Sequence, residues 1–284
     1  KSKKRTKNEL GYYEKILSWL PNTMRMQQSM IDVSEIVERG IDFYNGATAE
    51  VDYEEALRCF LYTSMKGVAK AQYMLSKCFH KMGIYNETIK WCQLAAEQEY
   101  IPAQIDLAEY YYDGKIVKKN YKKAVYWCEK AAKNGNASAM FSLSQFYIDG
   151  VYLKRDYTKA EALCIEAAVL GDLDAQFCLA SYYSDDETSG DRVFSLDYNK
   201  AIKWYKKFLE QSSDDPDTFC NVLFRIADCY FEIFDPDNAI KCYRQAETLG
   251  NVTWKLKLAD NYYDGDGVEQ SYDEAVKWYL DAFP

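Results

Sequence analysis

Residues 120–128 read NYKKAVYWC and residues 156–164 read DYTKAEALC, so asparagine or aspartate, tyrosine, alanine and cysteine recur at an offset of 36 residues. The same register returns in three further segments, 52–56 (DYEEA), 197–201 (DYNKA) and 271–275 (SYDEA), and in two weaker copies around Thr88 and Ala239. The alanine position of this segment, which we call the second marker, falls at residues 56, 88, 124, 160, 201, 239 and 275. Seven units at this spacing fit no simple enzyme fold, whereas they fit a solenoid in which each unit covers the apolar face of its neighbour.

A second segment with a regular spacing of residues lies before each second marker. Residues 103–111 (AQIDLAEYY) and 175–183 (AQFCLASYY) each show alanine, leucine four residues later and tyrosine four residues later again. This spacing places the three side chains on one stripe of an α-helix. We call its alanine position the first marker. Each unit is therefore predicted to be two antiparallel amphipathic helices.

Turn and cap residues mark where the predicted helices begin and end. Glycine suits the left-handed position that follows a helix. An Asp or Asn immediately before the first residue of a helix caps its free N–H groups. Gly114, Gly150 and Gly265 are predicted to close first helices, and Gly67, Gly135, Gly171 and Gly250 to close second helices. Predicted N-caps of second helices are Asp52, Asn120, Asp156, Asp197 and Asp235, the last with Pro236 at the first helical position.

The combined pattern, Ala-x-x-x-Leu-(Ala/Gly)-x-x-Tyr-x-x-Gly followed by Asp-Tyr-x-x-Ala-x-x-Trp and Ala-Ala-x-x-Gly, resembles the Sel1-like repeat family, a relative of the tetratricopeptide repeat. The resemblance covers about residues 36–284. It implies an all-α fold, an α-solenoid forming a right-handed superhelix of about seven antiparallel helix pairs with an N-terminal helical cap. The expected divisions are a basic tail at 1–7, the cap at 8–35, and repeats at 36–68, 69–100, 101–136, 137–172, 173–219, 220–251 and 252–284.

Some units depart from the pattern. Arg39-Gly40 replaces Leu-Ala in the first unit, which suggests an end cap, and Glu99 replaces the closing glycine of the second. Polar segments at 184–196 and 210–217 are expected to be exposed loops and candidate partner contacts. The last second helix stops at Pro284, two residues short of a complete unit, so we expect a longer natural protein.

Composition narrows the classes of function. The 284 residues carry 35 Lys+Arg against 44 Asp+Glu, and five of the cations fall in the first seven residues. We interpret these as a solvated terminus, with a targeting or anionic-surface signal as the alternative. An acidic body is a poor match for a phosphate backbone, so no nucleic-acid ligand is expected. No apolar run of about 18 residues occurs, so no membrane span is predicted.

Site chemistry is sparse in this sequence. His80 is the single histidine, and no Gly-x-Ser-x-Gly, Ser-x-x-Lys, Gly-x-Gly-x-x-Gly or Walker loop occurs, so we predict no enzyme activity, no cofactor and no metal. Residues 264–267 (DGDG) resemble the start of a calcium loop but lack its later carboxylates. The nine cysteines include no CxxC motif, which favours reduced thiols and a cytoplasmic location.

Three cysteines, Cys92, Cys128 and Cys164, are spaced 36 residues apart. We interpret them as occupants of one equivalent core position, which Tyr205, Tyr243 and Tyr279 fill in later units. Neighbouring units are expected to lie about 10 Å apart, near the helix-packing distance, which is too far for a disulfide. The resemblance also covers secreted members with paired cysteines, but unequal cysteine numbers per unit make that subfamily a poor match.

The predicted binding surface is the concave wall formed by the first helices. Positions two, six and nine residues after each first marker lie on one helical face. The candidate partner-binding residues at these positions are Tyr73, Lys77, Ile105, Glu109, Tyr112, Phe141, Gln145, Phe177, Phe224, Asp228, Leu256, Asp260 and Tyr263, with His80, Ile148, Ser181, Ser184 and Phe231 completing the set. The column two residues after the marker is apolar in the six units after the first, where it consists of Tyr73, Ile105, Phe141, Phe177, Phe224 and Leu256. It is either exposed as an aromatic ladder or buried between neighbouring first helices, and the sequence leaves both possibilities open.

These observations favour a scaffold or adaptor that binds a partner polypeptide, as a helix or an extended peptide with apolar anchors and some basic residues. The alternatives are a regulatory or targeting region of a larger enzyme, a bacterial secreted effector delivered into a host cell, and a small-molecule-binding repeat protein. The many Lys, Asn, Tyr and Ile residues are compatible with a bacterial source. The oligomeric state is left open.

Overall fold

The computed structural model describes residues 32–46, 51–185, 193–212, 215–247 and 253–282, and within these ranges the chain forms fourteen α-helices and no strand. The helices are α1 (Val33–Asn45), α2 (Tyr53–Met65), α3 (Ala69–Lys81), α4 (Tyr85–Glu97), α5 (Ile101–Asp113), α6 (Tyr121–Lys133), α7 (Ala137–Asp149), α8 (Tyr157–Val169), α9 (Leu173–Ser184), α10 (Tyr198–Gln211), α11 (Pro216–Glu232), α12 (Pro236–Glu247), α13 (Trp254–Asp264) and α14 (Tyr272–Ala282). They form seven successive pairs, which confirms the predicted all-α repeat architecture. The predicted basic tail, most of the predicted cap and Gly250 lie outside the described residues.

The chain divides into two compact units. The N-terminal unit, Lys1–Asn134, contains α1 to α6, and the C-terminal unit, Gly135–Pro284, contains α7 to α14. Within each unit every helix packs on its pair partner, and second helices pack on the first helix of the next pair, as α2 does on α3 and α10 does on α11. First helices of successive pairs also contact each other, as α1 and α3 do and as α7 and α9 do.

Side-chain caps begin the second helices as predicted. The carboxylate of Asp52 accepts hydrogen bonds from the backbone N–H groups of Glu54 and Glu55, each at 3.0 Å. Equivalent caps are made by Asn120, Asp156, Asp197 and Asp235. These bonds satisfy N–H groups that have no partner inside the helix, so they fix where each second helix starts.

One second helix reaches the left-handed closing position without glycine. The second helices α2, α6 and α8 are each followed by a glycine with positive φ, such as Gly135 at 81°, whereas α4 is followed by Glu99 with a φ of 63°. The left-handed region disfavours residues that carry a Cβ atom, so glutamate is held there at a cost.

Glu99→Gly should therefore raise the free energy of unfolding by about 0.5–1 kcal/mol, because relief of this strain exceeds the added entropy of the unfolded chain. The measurement is a urea unfolding curve followed by the helical circular dichroism signal. The matched control, Gly135→Ala, should lower stability by a similar amount. A Glu99→Gly protein less stable than the wild type would contradict the assignment of strain to this residue.

The core of each pair is built from small and large residues in alternation. The marker alanines Ala56, Ala71, Ala103, Ala124, Ala160, Ala175 and Ala201 are fully buried, as are Leu75, Leu107 and Leu179 four residues after first markers. Small residues at the crossings let helix backbones approach, and the leucines fill the space beside them. The weaker second marker Thr88 is also fully buried, and its hydroxyl donates to the carbonyl of Ile84 at 3.2 Å.

At three junctions a glutamine ties a second helix to the following first helix. The Gln72 side-chain amide donates to the carbonyl of Ser64 at 3.2 Å, across the junction between α2 and α3. The same bond recurs from Gln104 to Ala96 and from Gln176 to Ala168, at 3.1 and 3.0 Å, and always spans eight residues. Because these amides are buried, each bond satisfies a carbonyl at a helix end that water does not reach.

The cysteine position is a core position, as predicted. Cys92 and Cys164 are fully buried, and their thiols donate to the carbonyls of Ala103 and Ala175 at 3.3 and 3.6 Å. All nine cysteines are free thiols. Burial raises the pKa of Cys164 to about 12, so this thiol stays protonated and unreactive at neutral pH.

The core of the first pair contains a different combination of residues. Gly40 stands at the position of the buried leucines, and Phe60 stands at the cysteine position and is fully buried. A Cβ atom on Gly40 would lie 2.7 Å from Cε1 of Phe60, so the ring occupies the space that leucine fills elsewhere. Gly40 is thus a partner of Phe60 in the core of this pair.

Candidate functional site

The apolar column predicted on the first helices is partly exposed in each of the six repeats that carry it. Its members, Tyr73 and Ile105 in the N-terminal unit and Phe141, Phe177, Phe224 and Leu256 in the C-terminal unit, are each neither buried nor fully exposed. Each side chain therefore has one side against the protein and one side available to solvent. The sequence left open whether this column is exposed or buried, and in the structure each of its side chains is partly exposed and partly buried.

The N-terminal unit carries a polar network beside this column, between α3 and α5. The ammonium group of Lys77 lies 3.0 Å from Oδ2 of Asp106, and the hydroxyl of Tyr110 donates to the same oxygen at 3.3 Å. Lys77 also lies over the ring of Tyr73, 5.6 Å from its centroid, and His80 stacks on Tyr110 at 5.7 Å. The wall of this unit is thus a patch of aromatic rings around a lysine–aspartate pair.

Electrostatics fixes the protonation of this network. Burial raises the pKa of Tyr73 to about 12, and the charge of Asp106 adds to the rise. The pKa of Tyr110 is raised further by the same two causes in the same order. Burial is the largest single influence on the pKa of Lys77 and lowers it, but the charge and hydrogen bond of Asp106, with smaller contributions from Tyr73 and Tyr44, together raise the net pKa. At neutral pH the tyrosines are neutral donors and Lys77 is a cation.

The C-terminal unit repeats this arrangement with the charges exchanged. Asp228 on α11 lies 2.5 Å from the ammonium group of Lys257 on α13, and it accepts from the hydroxyl of Tyr243 at 3.4 Å. In both units the ion pair joins the residue six after one first marker to the residue three after the next. We did not identify Asp106, Tyr110, Tyr243 or Lys257 as site residues from the sequence. Opposite charges at these two register positions are the signal that could have found them.

Aromatic members of the column in the C-terminal unit support the core as well as the surface. Phe177 packs on Tyr205 and Phe208 of α10, with ring centroids 5.8 and 5.5 Å away, and Arg225 lies over it at 5.5 Å. Phe224 packs on Tyr243 at 5.3 Å. Removing either phenylalanine would therefore disturb packing as well as the exposed face.

The outer part of the face is polar and open. Glu109, Tyr112, Asp260 and Tyr263 are exposed, and Gln145 accepts from the hydroxyl of Tyr182 at 3.3 Å. The remaining predicted positions Ile148, Ser181 and Ser184 are half-buried. Phe231 is buried against Tyr243, so its placement on this face was wrong.

Among the described residues, no cluster of three or more His, Cys, Asp or Glu side chains is arranged to hold a metal ion, and residues 264–267 are part of an ordinary interhelix turn. Within the same ranges no helix combines the length and the apolar character that crossing a bilayer requires. The chemistry that the first-helix face offers is apolar contact, hydrogen bonding and charge, which are the means of recognising another molecule.

Repeated helix pairs with the same caps, markers and junction bond define an α-helical repeat protein of the tetratricopeptide-like type. The Sel1 repeat family matches this chain over seven segments, residues 40–68, 69–100, 101–136, 137–172, 173–213, 235–251 and 256–282. The chain belongs to the Sel1 repeat family. Families built from this repeat are typically non-catalytic scaffolds, and the fold generally mediates protein–protein interaction.

Two solved bacterial structures resemble the chain over most of its length. A Sel1 repeat protein from Oxalobacter formigenes is 23% identical, and the match covers 97% of this chain and 94% of that one with a TM-score of 0.57. The protein c5321, a protective antigen present in uropathogenic Escherichia coli strains and displaying an SLR fold, is 19% identical over 96% of this chain and 69% of that one, with a TM-score of 0.50. These likenesses concern the fold. No curated protein gives a match.

Proposed function

We propose that this protein is a non-catalytic adaptor that holds a segment of a partner polypeptide along the first helices of its repeats. The observation that carries the proposal is the apolar column, which stays partly exposed in six successive repeats. Solvent-facing apolar side chains at a regular spacing suit the alternating anchors of a bound helix or extended chain. We further propose that the protein acts in a reducing compartment such as the cytoplasm.

Charge on this face specifies the partner further. Glu109 and Asp260 are exposed at equivalent register positions, and among the described residues no cation lies within ion-pair distance of either carboxylate. Carboxylates beside apolar anchors favour a segment that carries Lys or Arg between its apolar residues. Tyr112 and Tyr263 add hydroxyl groups at the edge of the same face.

The test is selection of displayed peptides on the intact chain, followed by affinity measurement on purified variants. Selected peptides should combine apolar anchors with basic residues. Glu109→Lys together with Asp260→Lys should weaken their binding about tenfold, since two attractive charges become repulsive. Both positions are exposed, so folding should be unaffected, whereas Phe177→Ala would confound binding with core packing.

The matched control places the same charge change on second helices. Glu129→Lys with Glu166→Lys alters two exposed carboxylates on α6 and α8 and leaves the first-helix face intact. This control should bind the selected peptides as the wild type does. Equal loss in both double variants, or selection of peptides without apolar and basic residues, would refute the proposed site.

A further inference from the structure

Two interhelix turns, one in each compact unit, have matching sequences with opposite charge. Residues 113–123 (DGKIVKKNYKK) join α5 to α6, and residues 264–274 (DGDGVEQSYDE) join α13 to α14. We call them the third-repeat turn and the seventh-repeat turn. They have equal length and share Asp-Gly at the start, one valine and one tyrosine at identical positions.

The two turns begin and end with the same backbone features. Gly114 and Gly265 close the first helices with φ of 73° and 76°. The N–H of Asn120 donates to the carbonyl of Tyr111 at 2.8 Å, and the N–H of Ser271 donates to the carbonyl of Tyr262 at 2.9 Å. Between these points the backbones differ, since Gly267 has a φ of 66° and the equivalent residue of the third-repeat turn has no positive φ.

The aromatic residues of the turns match as well. The rings of Tyr112 and Tyr121 meet edge to face at 5.7 Å and 64°, and those of Tyr263 and Tyr272 at 5.4 Å and 65°. Tyr112 is 43% exposed and Tyr263 is 53% exposed. Each turn thus presents an accessible aromatic side chain beside its charges.

Charge is reversed position by position. The third-repeat turn holds five lysines and one aspartate, and the seventh-repeat turn holds five carboxylates and no cation. The three exposed pairs of equivalent positions are Lys115 and Asp266, Lys118 and Glu269, and Lys122 and Asp273. Two surfaces of opposite sign are electrostatically complementary.

The three lysines Lys115, Lys118 and Lys122 are not explained by a contribution to the stability of the fold. Within the described ranges Lys115 pairs only with Asp113, at 2.6 Å, and no carboxylate lies within ion-pair distance of Lys118 or Lys122. Lys122 lies in the first turn of α6, which contains no acidic residue, and a cation there opposes the helix dipole. Lys118 and Lys122 are therefore cations with no ion-pair partner among the described residues, and the ion pair of Lys115 lies within its own turn.

We propose that the third-repeat turn of one copy of this protein binds the seventh-repeat turn of a second copy. The occupant is a second copy because this chain itself supplies an exposed acidic surface of matching length. The acidic start of α2 is a poorer candidate, since Glu54 and Glu55 are both within reach of Arg58, whereas no described cation pairs with Asp266, Glu269 or Asp273. This self-association uses the charged residues of the turns, which adjoin the proposed partner-binding face only at its edge, through Tyr112 and Tyr263.

The contact has a defined symmetry consequence. It joins two different patches, so each copy contributes one turn of each sign. Two copies that exchange both contacts form a closed dimer, and copies that make one contact at each end form an open series. The mass of the assembly distinguishes these forms.

The first measurement is sedimentation velocity of the intact chain over a range of concentrations and salt. We expect concentration-dependent association in low salt that weakens at least tenfold between roughly 50 mM and roughly 500 mM NaCl, because exposed charges are screened. A monomer at every concentration in low salt would overturn the proposal, as would association that salt leaves unchanged.

The second measurement uses two charge variants. In one, Lys115→Asp, Lys118→Glu and Lys122→Asp give the third-repeat turn the charges that the seventh-repeat turn carries at the equivalent positions, and all three lysines are exposed, so the variant should fold. In the other, Asp266→Lys, Glu269→Lys and Asp273→Lys make the opposite exchange. Each variant alone should associate at least tenfold more weakly than the wild type, because its two turns repel.

The decisive measurement is the association of the two variants when they are mixed. An equimolar mixture should restore association, because each variant then meets a partner of the opposite sign. The control, Lys66→Asp, Lys81→Glu and Lys203→Asp, has the same net charge as the first variant and alters exposed lysines elsewhere, and it should associate more strongly than that variant. A mixture that stays monomeric, or a control as weak as the turn variant, would overturn the pairing of these turns.

Discussion

Replacing Trp254 with alanine should lower the free energy of unfolding by about 3–5 kcal/mol, the largest effect we expect from one substitution. Trp254 stands at a first-marker position, where four other repeats carry alanine, so the change brings the residue closer to the repeat pattern. A pattern-based argument would therefore predict a neutral or stabilising effect.

The structure predicts the opposite because Trp254 fills the space between α12 and α14. It is 1% exposed, and its ring stacks on Tyr243 at 5.7 Å and contacts Trp278 at 5.4 Å. Alanine would leave a cavity beside these two aromatic rings, and cavities of this kind cost both transfer energy and lost packing.

Urea unfolding followed by helical circular dichroism and by tryptophan fluorescence measures the loss. The control is Leu280→Ala on α14, where the side chain is 70% exposed and the expected change is under about 0.5 kcal/mol. Unfolding of the Trp254→Ala protein within 1 kcal/mol of the wild type would show that the neighbouring helices close the cavity.

Gly40→Leu should also destabilise the protein, by about 2–3 kcal/mol, although leucine at this position matches the other repeats and gains about 0.8 kcal/mol of helix propensity. The ring of Phe60 lies 2.7 Å from the place of the new Cβ atom and is fully buried, so it has no free space to enter. The loss comes from overpacking rather than from a cavity.

A second substitution tests that cause directly. Phe60→Cys creates in the first pair the leucine and cysteine combination found at Leu75 and Cys92, so the double variant should recover at least half of the loss caused by Gly40→Leu. Phe60→Cys alone should cost about 3 kcal/mol because it leaves a cavity. Additive losses in this double-mutant cycle would show that the two residues do not share one space.

Much of the fold could be predicted from the sequence because its signals are local. The second-marker segments set the period, and Asp52, Asn120 and Asp156 begin helices by bonding backbone groups within three residues. Gly114 ends a helix through its own backbone angle. Each of these effects acts within one turn of helix, so the sequence pattern contains the whole cause.

The candidate site could be predicted only in part because it depends on how helices meet. Counting along a helix placed Lys77 and Asp228 on the outer face, but their partners Asp106 and Lys257 belong to the next first helix. The packing of the small Gly40 against the large Phe60 likewise depends on residues 20 positions apart. Such pairs follow from packing geometry, which a single sequence does not specify.

The glutamine bonds at the junctions have a consequence for how this chain tolerates changes in length. Each bond spans eight residues, so adding or deleting one residue between a second helix and the following first helix would misalign a buried amide and leave a carbonyl unsatisfied. In the described parts of the loops inside the pairs, the comparable bond from Gln270 to the carbonyl of Tyr263 is exposed, not buried. Insertions during divergence are therefore expected to accumulate in these loops, as in the 41-residue interval that contains residues 184–196, while the three junctions with a buried glutamine bond keep a fixed length.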